Sequence, residues 1–327
     1  MKDPIRWGII GCGNVTEVKS GPPLQQAEGS HLVAVMRRDG ERARDYAERH
    51  GVPRWYDDAQ RLIDDAEVDA VYVATPPDTH LHYTERVAAA GKPVYVEKPM
   101  ARTTAEARQM VAACEAAGVK LFVAYYRRRL EIHLKVRDLL AEGAVGQVRL
   151  VTLRHLGAYA GEADGETPWR LIPEVAGRGG LFHDLASHQL DLLDYLLGPI
   201  EPTGAVATNL GGHYACDDTV AAAWRHESGA VGSGTWCFVA APGQAGERIE
   251  VDGTEGRLAF TAFDLDRPIR LERGGQVEEY AAAPPAHVQG PLIQSVVDDL
   301  LGRGTCPSTG ASARRTAEVM DRILGIT

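Results

Sequence analysis

A charged pair closes the apolar run Val94–Val96, where Glu97 and Lys98 precede Pro99. Such a run predicts a buried strand, so the Lys98 ammonium leaves the sheet at the strand's end, in a crevice. Lysine shifts its pKa readily when partly desolvated, which suits Lys98 to hold or deprotonate a substrate hydroxyl. The other reading of the pair is a surface salt bridge. A second constellation is Asp184, His188 and Asp191, spaced by four and three residues. On a helix they fall on one stripe. Leu185, Leu190, Leu192 and Leu193 around them predict a buried helix, where polar groups need partners or a cavity. A histidine titrating near neutrality could pass a hydroxyl proton during hydride transfer, and a carboxylate beside it could orient substrate hydroxyls. The bland alternative is an Asp184 helix cap and a satisfied core His188. A cation held by His183, Asp184, His188 and Asp191 is a further alternative. His183 falls on another face, however, and no outside ligand cluster joins it, so no metal is assigned.

A third group could hold a cofactor. Gly8, Gly11 and Gly13 lie at the end of the run Ile5–Ile10. Such a turn brings backbone N–H groups to a pyrophosphate at the positive end of the next helix. Gly11 and Gly13 fit the first two glycines of the dinucleotide fingerprint, with Cys12 as a small residue between them and Thr16 at the third position. An Asp or Glu at the end of the second strand would accept from a ribose 2′-hydroxyl. Here the run ending at Met36 enters Arg37 and Arg38, two guanidinium groups suited to a 2′-phosphate. NADP(H) is therefore favoured, while Asp39 leaves NAD(H) open. Thr75 and Pro76 end the run Ala70–Ala74 and are expected cofactor contacts, since proline sends the chain out of the sheet there. His80 is either a ligand group or a structural residue at a helix start.

These residues need elements to position them. Apolar runs at Ile5–Ile10, Leu32–Met36, Ala70–Ala74, Val94–Val96 and Leu121–Ala124 alternate with helical patterns at Glu41–His50, Asp57–Asp64, Thr79–Ala90 and Thr104–Ala117. Continuous apolar strands alternating with helices predict a doubly wound parallel sheet. Thr103 or Thr104 can cap the last helix and Gly118 can end it. After Tyr125 the pattern changes. A helix at Glu131–Ala141, a strand at Val148–Leu156 and a loop over residues 157–180 precede an apolar helix, Phe182–Leu197. Successive strands then follow at Thr203–Asn209, Thr219–His226, Ala230–Cys237, Arg248–Asp252 and Gly256–Phe260, which implies antiparallel pairing. Helices at Pro291–Leu301 and Ala311–Leu324 close the chain. The expected architecture is α/β: a Rossmann domain over residues 1–124, and an α+β domain with an open, mainly antiparallel sheet over residues 125–327.

In order and spacing, these pieces resemble the glucose–fructose oxidoreductase / inositol dehydrogenase / MocA family (Gfo/Idh/MocA). The matching segments are GIIGCGNV at Gly8–Val15, ATPPDTH at Ala74–His80, EKP at Glu97–Pro99, YYRR at Tyr125–Arg128 and GGLFHDLASHQLD at Gly179–Asp191. Leu181 replaces the family's usual third glycine in the last segment. The resemblance implies an NAD(P)-dependent oxidoreductase of sugars, polyols or related alcohols. It implies Gly11, Cys12, Gly13, Asn14, Val15 and Glu97 as cofactor contacts. Lys98 would contact both substrate and nicotinamide, and Asp184 and His188 would be the active-site pair. It places Trp169, Arg170, Tyr126 and Arg127 near substrate or cofactor. It also implies a homodimer or homotetramer built through the C-terminal sheet. Within the family, a trans-dihydrodiol or tetrapyrrole substrate is the rival. A dinucleotide sensor without catalysis is the rival from another class, and it has no need of Lys98 and His188.

Composition sets the outer limits. The 327 residues carry 35 Lys and Arg against 45 Asp and Glu, a formal charge of −10. That balance excludes the basic footprint of a nucleic-acid or anionic-membrane binder. Five scattered cysteines form no CxxC pair, and the N-terminal run has no signal-peptide pattern, so a reducing cytoplasm is expected. Net charge leaves room for one small anion, because Arg37, Arg38, Lys98 and Arg127 are the basic groups assigned to the ligand.

Overall fold

Short apolar runs become a parallel sheet because both their faces are covered by helices. In the computed structural model, which describes residues 3–159 and 167–326, the chain opens with β1 (Ile5–Ile10), α1 (Asn14–Val18), α2 (Gly21–Gln26) and β2 (Ser30–Met36). It continues with α3 (Gly40–His50), β3 (Arg54–Tyr56), α4 (Ala59–Ile63), β4 (Ala70–Val73), α5 (His80–Ala89), β5 (Val94–Val96), α6 (Thr104–Ala116) and β6 (Leu121–Val123). Strand order is β3-β2-β1-β4-β5-β6. The order reverses between β1 and β4, the switch point at which such sheets bind ligands beyond their carboxyl ends. Register makes that edge level: Ile10 pairs with Met36 and Val73, and Val73 with Val96. Gly11, Arg37, Ala74 and Glu97 therefore leave the sheet side by side.

Local chemistry sets the helix ends. The Thr103 hydroxyl accepts from the Glu106 N–H at 3.3 Å and starts α6, and Asp39 does the same for α3 through the Arg42 N–H. Gly118 takes φ of 65° after α6. The sheet has a strand that the sequence pattern does not predict. β3 is only Arg-Trp-Tyr and partly exposed, too short and polar to read as an apolar run. The helix after it is correspondingly short and is capped by Asp58.

The second sheet follows α7 (Glu131–Ala141). It comprises β7 (Val148–Leu156) and, after α8 (Pro173–Ala176), a π-helical turn (Phe182–Ala186) and α9 (Ser187–Leu197), the run β8 (Ile200–Thr208), β9 (Thr219–His226), β10 (Val231–Cys237), β11 (Gly246–Gly253), β12 (Gly256–Phe260), β13 (Ile269–Arg273) and β14 (Gln276–Tyr280). Their order is β14-β13-β12-β11-β7-β10-β9-β8. Pairing is antiparallel as expected except between β7 and β10, which run parallel. β7 comes before the run in sequence and enters the middle of the sheet, so one neighbour must run with it. β9 and β10 alternate buried and exposed positions, with Trp224 and Trp236 on the covered face. Gly232 is required there, because a Cβ would lie 2.1 Å from the Trp224 indole. The sequence pattern does not announce β13 and β14. They form an edge hairpin around Gly274-Gly275, and their charged residues hide the strand pattern.

Two helices, α10 (Gly290–Leu301) and α11 (Gly310–Leu324), follow the second sheet. Contacts divide the chain into two units. Met1–Tyr126 with Pro285–Arg314 forms one, and Arg127–Pro284 with Arg315–Thr327 the other. Residues 285–314 thus return to the parallel-sheet unit: the Ser308 hydroxyl donates to the Val123 carbonyl at 2.7 Å, and the Tyr95 hydroxyl to Gln289 at 3.0 Å.

Candidate functional site

The carboxyl edge of the parallel sheet carries the first group. Gly11 adopts φ of 93°, and a Cβ there would lie 2.7 Å from Thr75 Cγ2, so the turn demands glycine. The start of α1 has no side-chain cap, which leaves its first N–H groups open to a phosphate. Both observations fit a dinucleotide. Asn14 and Val15 open this helix. Thr16, at the third fingerprint position, is buried: its hydroxyl donates to the Gly13 carbonyl at 2.8 Å, and its own carbonyl accepts from Tyr46. Burial pushes the Cys12 thiol up to about 11, so it is packing rather than a nucleophile. Arg37 Nη1 donates to the Cys12 carbonyl at 3.3 Å and braces the turn, whereas Arg38 is exposed. Asp39 is occupied by its own helix, through the Arg42 N–H and guanidinium.

Thr75 and Pro76 are half-buried at the same edge. His80 is fully buried. Its Nε2 lies 2.8 Å from the Thr75 carbonyl, and its Nδ1 faces the Pro99 and Met100 carbonyls at 3.1 and 3.2 Å. It ties the Thr75 loop to the segment after Lys98. Burial lowers its pKa, while those carbonyls and Glu97 act the other way. Glu97 is buried. One carboxylate oxygen accepts from the Tyr72 hydroxyl at 2.5 Å and Gln289 Nε2 at 2.7 Å, and the other from the Lys98 N–H at 3.0 Å. Lys98 is half-buried beside it. Tyr126, the last residue of this unit's first segment, is buried.

The second group belongs to the antiparallel-sheet unit. Arg170 Nε donates to Asp184 at 2.9 Å, and its guanidinium lies 4.3 Å from the centre of the Trp169 ring. Trp169, Arg170 and Asp184 are thus gathered by the structure. Asp184 sits in the π-helical turn rather than in α9, and that widened turn breaks the regular stripe expected for Asp184, His188 and Asp191. His188 is buried on α9, with its ring edge-on to Phe263 at 6.0 Å. Arg127 lies 4.3 Å from the same ring, and its Nε donates to the Ala262 carbonyl.

Asp191 has other work. Arg128 grips its two oxygens at 2.8 and 2.7 Å, and Thr316 adds a third donor. Burial pushes the Asp191 carboxyl up, and the Arg128 charge opposes that shift. His183 turns to the Ala176 carbonyl at 3.1 Å. Among the described residues no three His, Cys, Asp or Glu side chains gather as a metal site. Residues 160–166 of the loop expected at 157–180 lie outside the described residues.

Sequence reasoning missed a polar chain next to His188. The Trp236 indole donates to Gln189 Oε1 at 2.7 Å, which fixes the amide's orientation. Gln189 Nε2 then donates to Glu247 at 2.7 Å and to His155 Nδ1 at 3.0 Å. His155 is therefore the Nε2–H tautomer, and burial pushes its pKa down to about 4. Gln189 is adjacent to His188 in sequence, but no local signal marks Glu247, His155 or Gln289. Chemically, the parallel sheet's edge offers a glycine turn at an uncapped helix start and a half-buried lysine that follows a buried carboxylate in the chain. The other unit offers an imidazole beside an aromatic ring and a carboxylate held by a solvent-reached guanidinium.

Comparison with known proteins identifies two family matches. The family described as "Oxidoreductase family, NAD-binding Rossmann fold" matches residues 5–125, and the "GFO/IDH/MocA C-terminal domain" matches residues 133–259. The chain is 37% identical to Oxidoreductase P35 of Formosa agariphila, over 99% of this chain and 100% of that protein. It is 30% identical to 1,5-anhydro-D-fructose reductase of Ensifer adhaerens, over 93% and 91% of the two chains. It superposes on the crystal structure of aldose-aldose oxidoreductase from Caulobacter crescentus with a TM-score of 0.85 and 28% identity, covering 98% and 97% of the two chains. No described helix is long and apolar enough to cross a membrane.

Proposed function

The chain belongs to the Gfo/Idh/MocA family of NAD-binding oxidoreductases, and from that premise we propose that it moves a hydride between NADP(H) and a hydroxyl- or carbonyl-bearing carbon of a sugar or polyol. The observation that carries this reading is the level carboxyl edge of the parallel sheet, where the Gly11 turn, Thr75 and Lys98 emerge together. The nicotinamide supplies the hydride acceptor or donor when bound. Gly11, Gly13 and the start of α1 take the pyrophosphate, and Arg37 and Arg38 take the 2′-phosphate. Lys98 stabilises the alkoxide, and His188 accepts the hydroxyl proton in oxidation and returns it in reduction. Asp184, with Arg170 and Trp169, orients the substrate. The sugar class draws support from the 1,5-anhydro-D-fructose reductase relative. NADP(H) draws support from Arg38, an exposed guanidinium just beyond the end of β2. Cytoplasmic residence and a homodimer or homotetramer through the second sheet complete the proposal.

Purified protein mixed with NADPH or NADH and a panel of sugar and polyol alcohols and carbonyls tests it. Turnover is expected, and Lys98→Met should lower it at least about a hundredfold, the usual size of an electrostatic or acid–base contribution. Binding without turnover would identify a sensor instead. Arg38→Asp should weaken NADPH binding about ten- to a hundredfold, as expected on losing a charge-assisted bond, and leave NADH binding nearly unchanged. Equal losses for both dinucleotides would refute the 2′-phosphate assignment.

A further inference from the structure

Gln289 reaches Glu97 across 192 residues of sequence, from the segment that returns to the parallel sheet. The hydrogen-bond chemistry here has one solution. A carboxylate only accepts, so the Gln289 nitrogen faces Glu97 at 2.7 Å and its oxygen must accept elsewhere. It does so from the Tyr95 hydroxyl at 3.0 Å. Tyr72 donates to the same Glu97 oxygen at 2.5 Å. These donors leave the second oxygen turned toward the Lys98 N–H at 3.0 Å. Tyr72 and Tyr95 are fully buried, with rings stacked 4.8 Å apart, so the donors themselves have little freedom.

We propose that Gln289, together with Tyr72, is a positioning residue for Lys98, acting through the Glu97 carboxylate. Neutral donors hold the carboxylate without cancelling its charge. The carboxylate in turn holds the peptide from which the lysine side chain starts. Without Gln289, Glu97 has one donor fewer and is freer to swing toward the side chain of Lys98, the next residue. The inference rests on Lys98 serving the proposed reaction, but its test does not require turnover.

The test is competitive labelling of the full-length protein with acetic anhydride across a pH series, with each lysine read by mass spectrometry. In Gln289→Met the Lys98 labelling profile should move to higher pH by at least about half a unit, roughly a threefold slower reaction at a fixed pH. Lys135, which belongs to the other unit, should not move. The double variant Glu97→Gln/Gln289→Glu exchanges donor and acceptor, keeps an oxygen for the Lys98 N–H, and should restore much of the labelling rate lost in Gln289→Glu alone. Tyr72→Phe should move Lys98 in the same direction as Gln289→Met and serves if the methionine variant fails to fold. An unchanged Lys98 profile in a folded variant overturns the inference. Full turnover by Lys98→Met would instead overturn the functional reading, so the two failures are separable.

Discussion

Glu97 in the parallel-sheet unit and Asp191 in the antiparallel-sheet unit are both buried carboxylates close in sequence to a group proposed for the reaction. They are satisfied in opposite ways. Glu97 takes neutral donors from Tyr72, Gln289 and a backbone N–H. Asp191 is clamped by the Arg128 guanidinium, itself 3% exposed. Neutral donors leave a negative charge for Lys98 to feel, whereas a bidentate guanidinium cancels one. The first arrangement therefore suits the cation proposed for the reaction, and the second fastens α9. Asp184 shows a third condition. Its partner Arg170 is 45% exposed, so water or substrate hydroxyls can exchange with that pair.

The comparison breaks most readily at Arg128. Arg128→Met leaves Asp191 buried with its counter-charge gone, while Asp194 keeps Arg315, and should cost about 3–5 kcal/mol in urea unfolding. A cost below about 1 kcal/mol would mean that the clamp does not anchor the helix.

Two buried histidines extend the contrast. His80 and His133 each face backbone carbonyls with both ring nitrogens, but Glu97 lies near one and Arg127 near the other. Burial, with the Arg127 charge adding to it, pushes His133 down to about 4. The unfolded chain then binds more protons than the folded one below about pH 6.5, so stability falls as pH drops from there toward about 4. At pH 5 His133 alone should cost on the order of 1–2 kcal/mol relative to pH 7. His133→Gln should flatten that part of the urea-midpoint profile, and an unaltered slope would show that the imidazole does not stay neutral.

Arg170 gives the smallest stability change and the sharpest separation of roles. Arg170→Ala should alter unfolding free energy by less than about 1 kcal/mol, as for other solvent-reached pairs. KM for the panel compound turned over should rise about tenfold, the scale of one lost charged hydrogen bond. A large stability loss with unchanged KM would move the Arg170–Asp184 pair from the substrate side to the scaffold.

Much of this was present in the chain itself. Apolar continuity at Ile5–Ile10, Ala70–Val73 and Val94–Val96 dictates strands covered on both faces, and the glycine at position 11 dictates a turn that only glycine can make. Local grammar of that kind is enough for the parallel sheet, the Gly11 turn and the position of Lys98. Short or charged strands such as β3 and β14 escaped, because half-exposed edges carry no apolar pattern. The spacing of Asp184, His188 and Asp191 was legible, but their separation into different jobs was not. That separation comes from Arg128 and Arg170, and from a π-helical turn that periodicity does not announce. Gln289 is the clearest case. A glutamine in a loop has no local signature, and only the folding back of residues 285–314 onto the first unit gives its amide a buried carboxylate to hold. Sequence by itself determined which backbone elements form, since propensity and hydrophobic period act over a few residues. Tertiary structure alone decided which buried charges are cancelled and which are kept, because that depends on donors brought from 63 and 192 residues away.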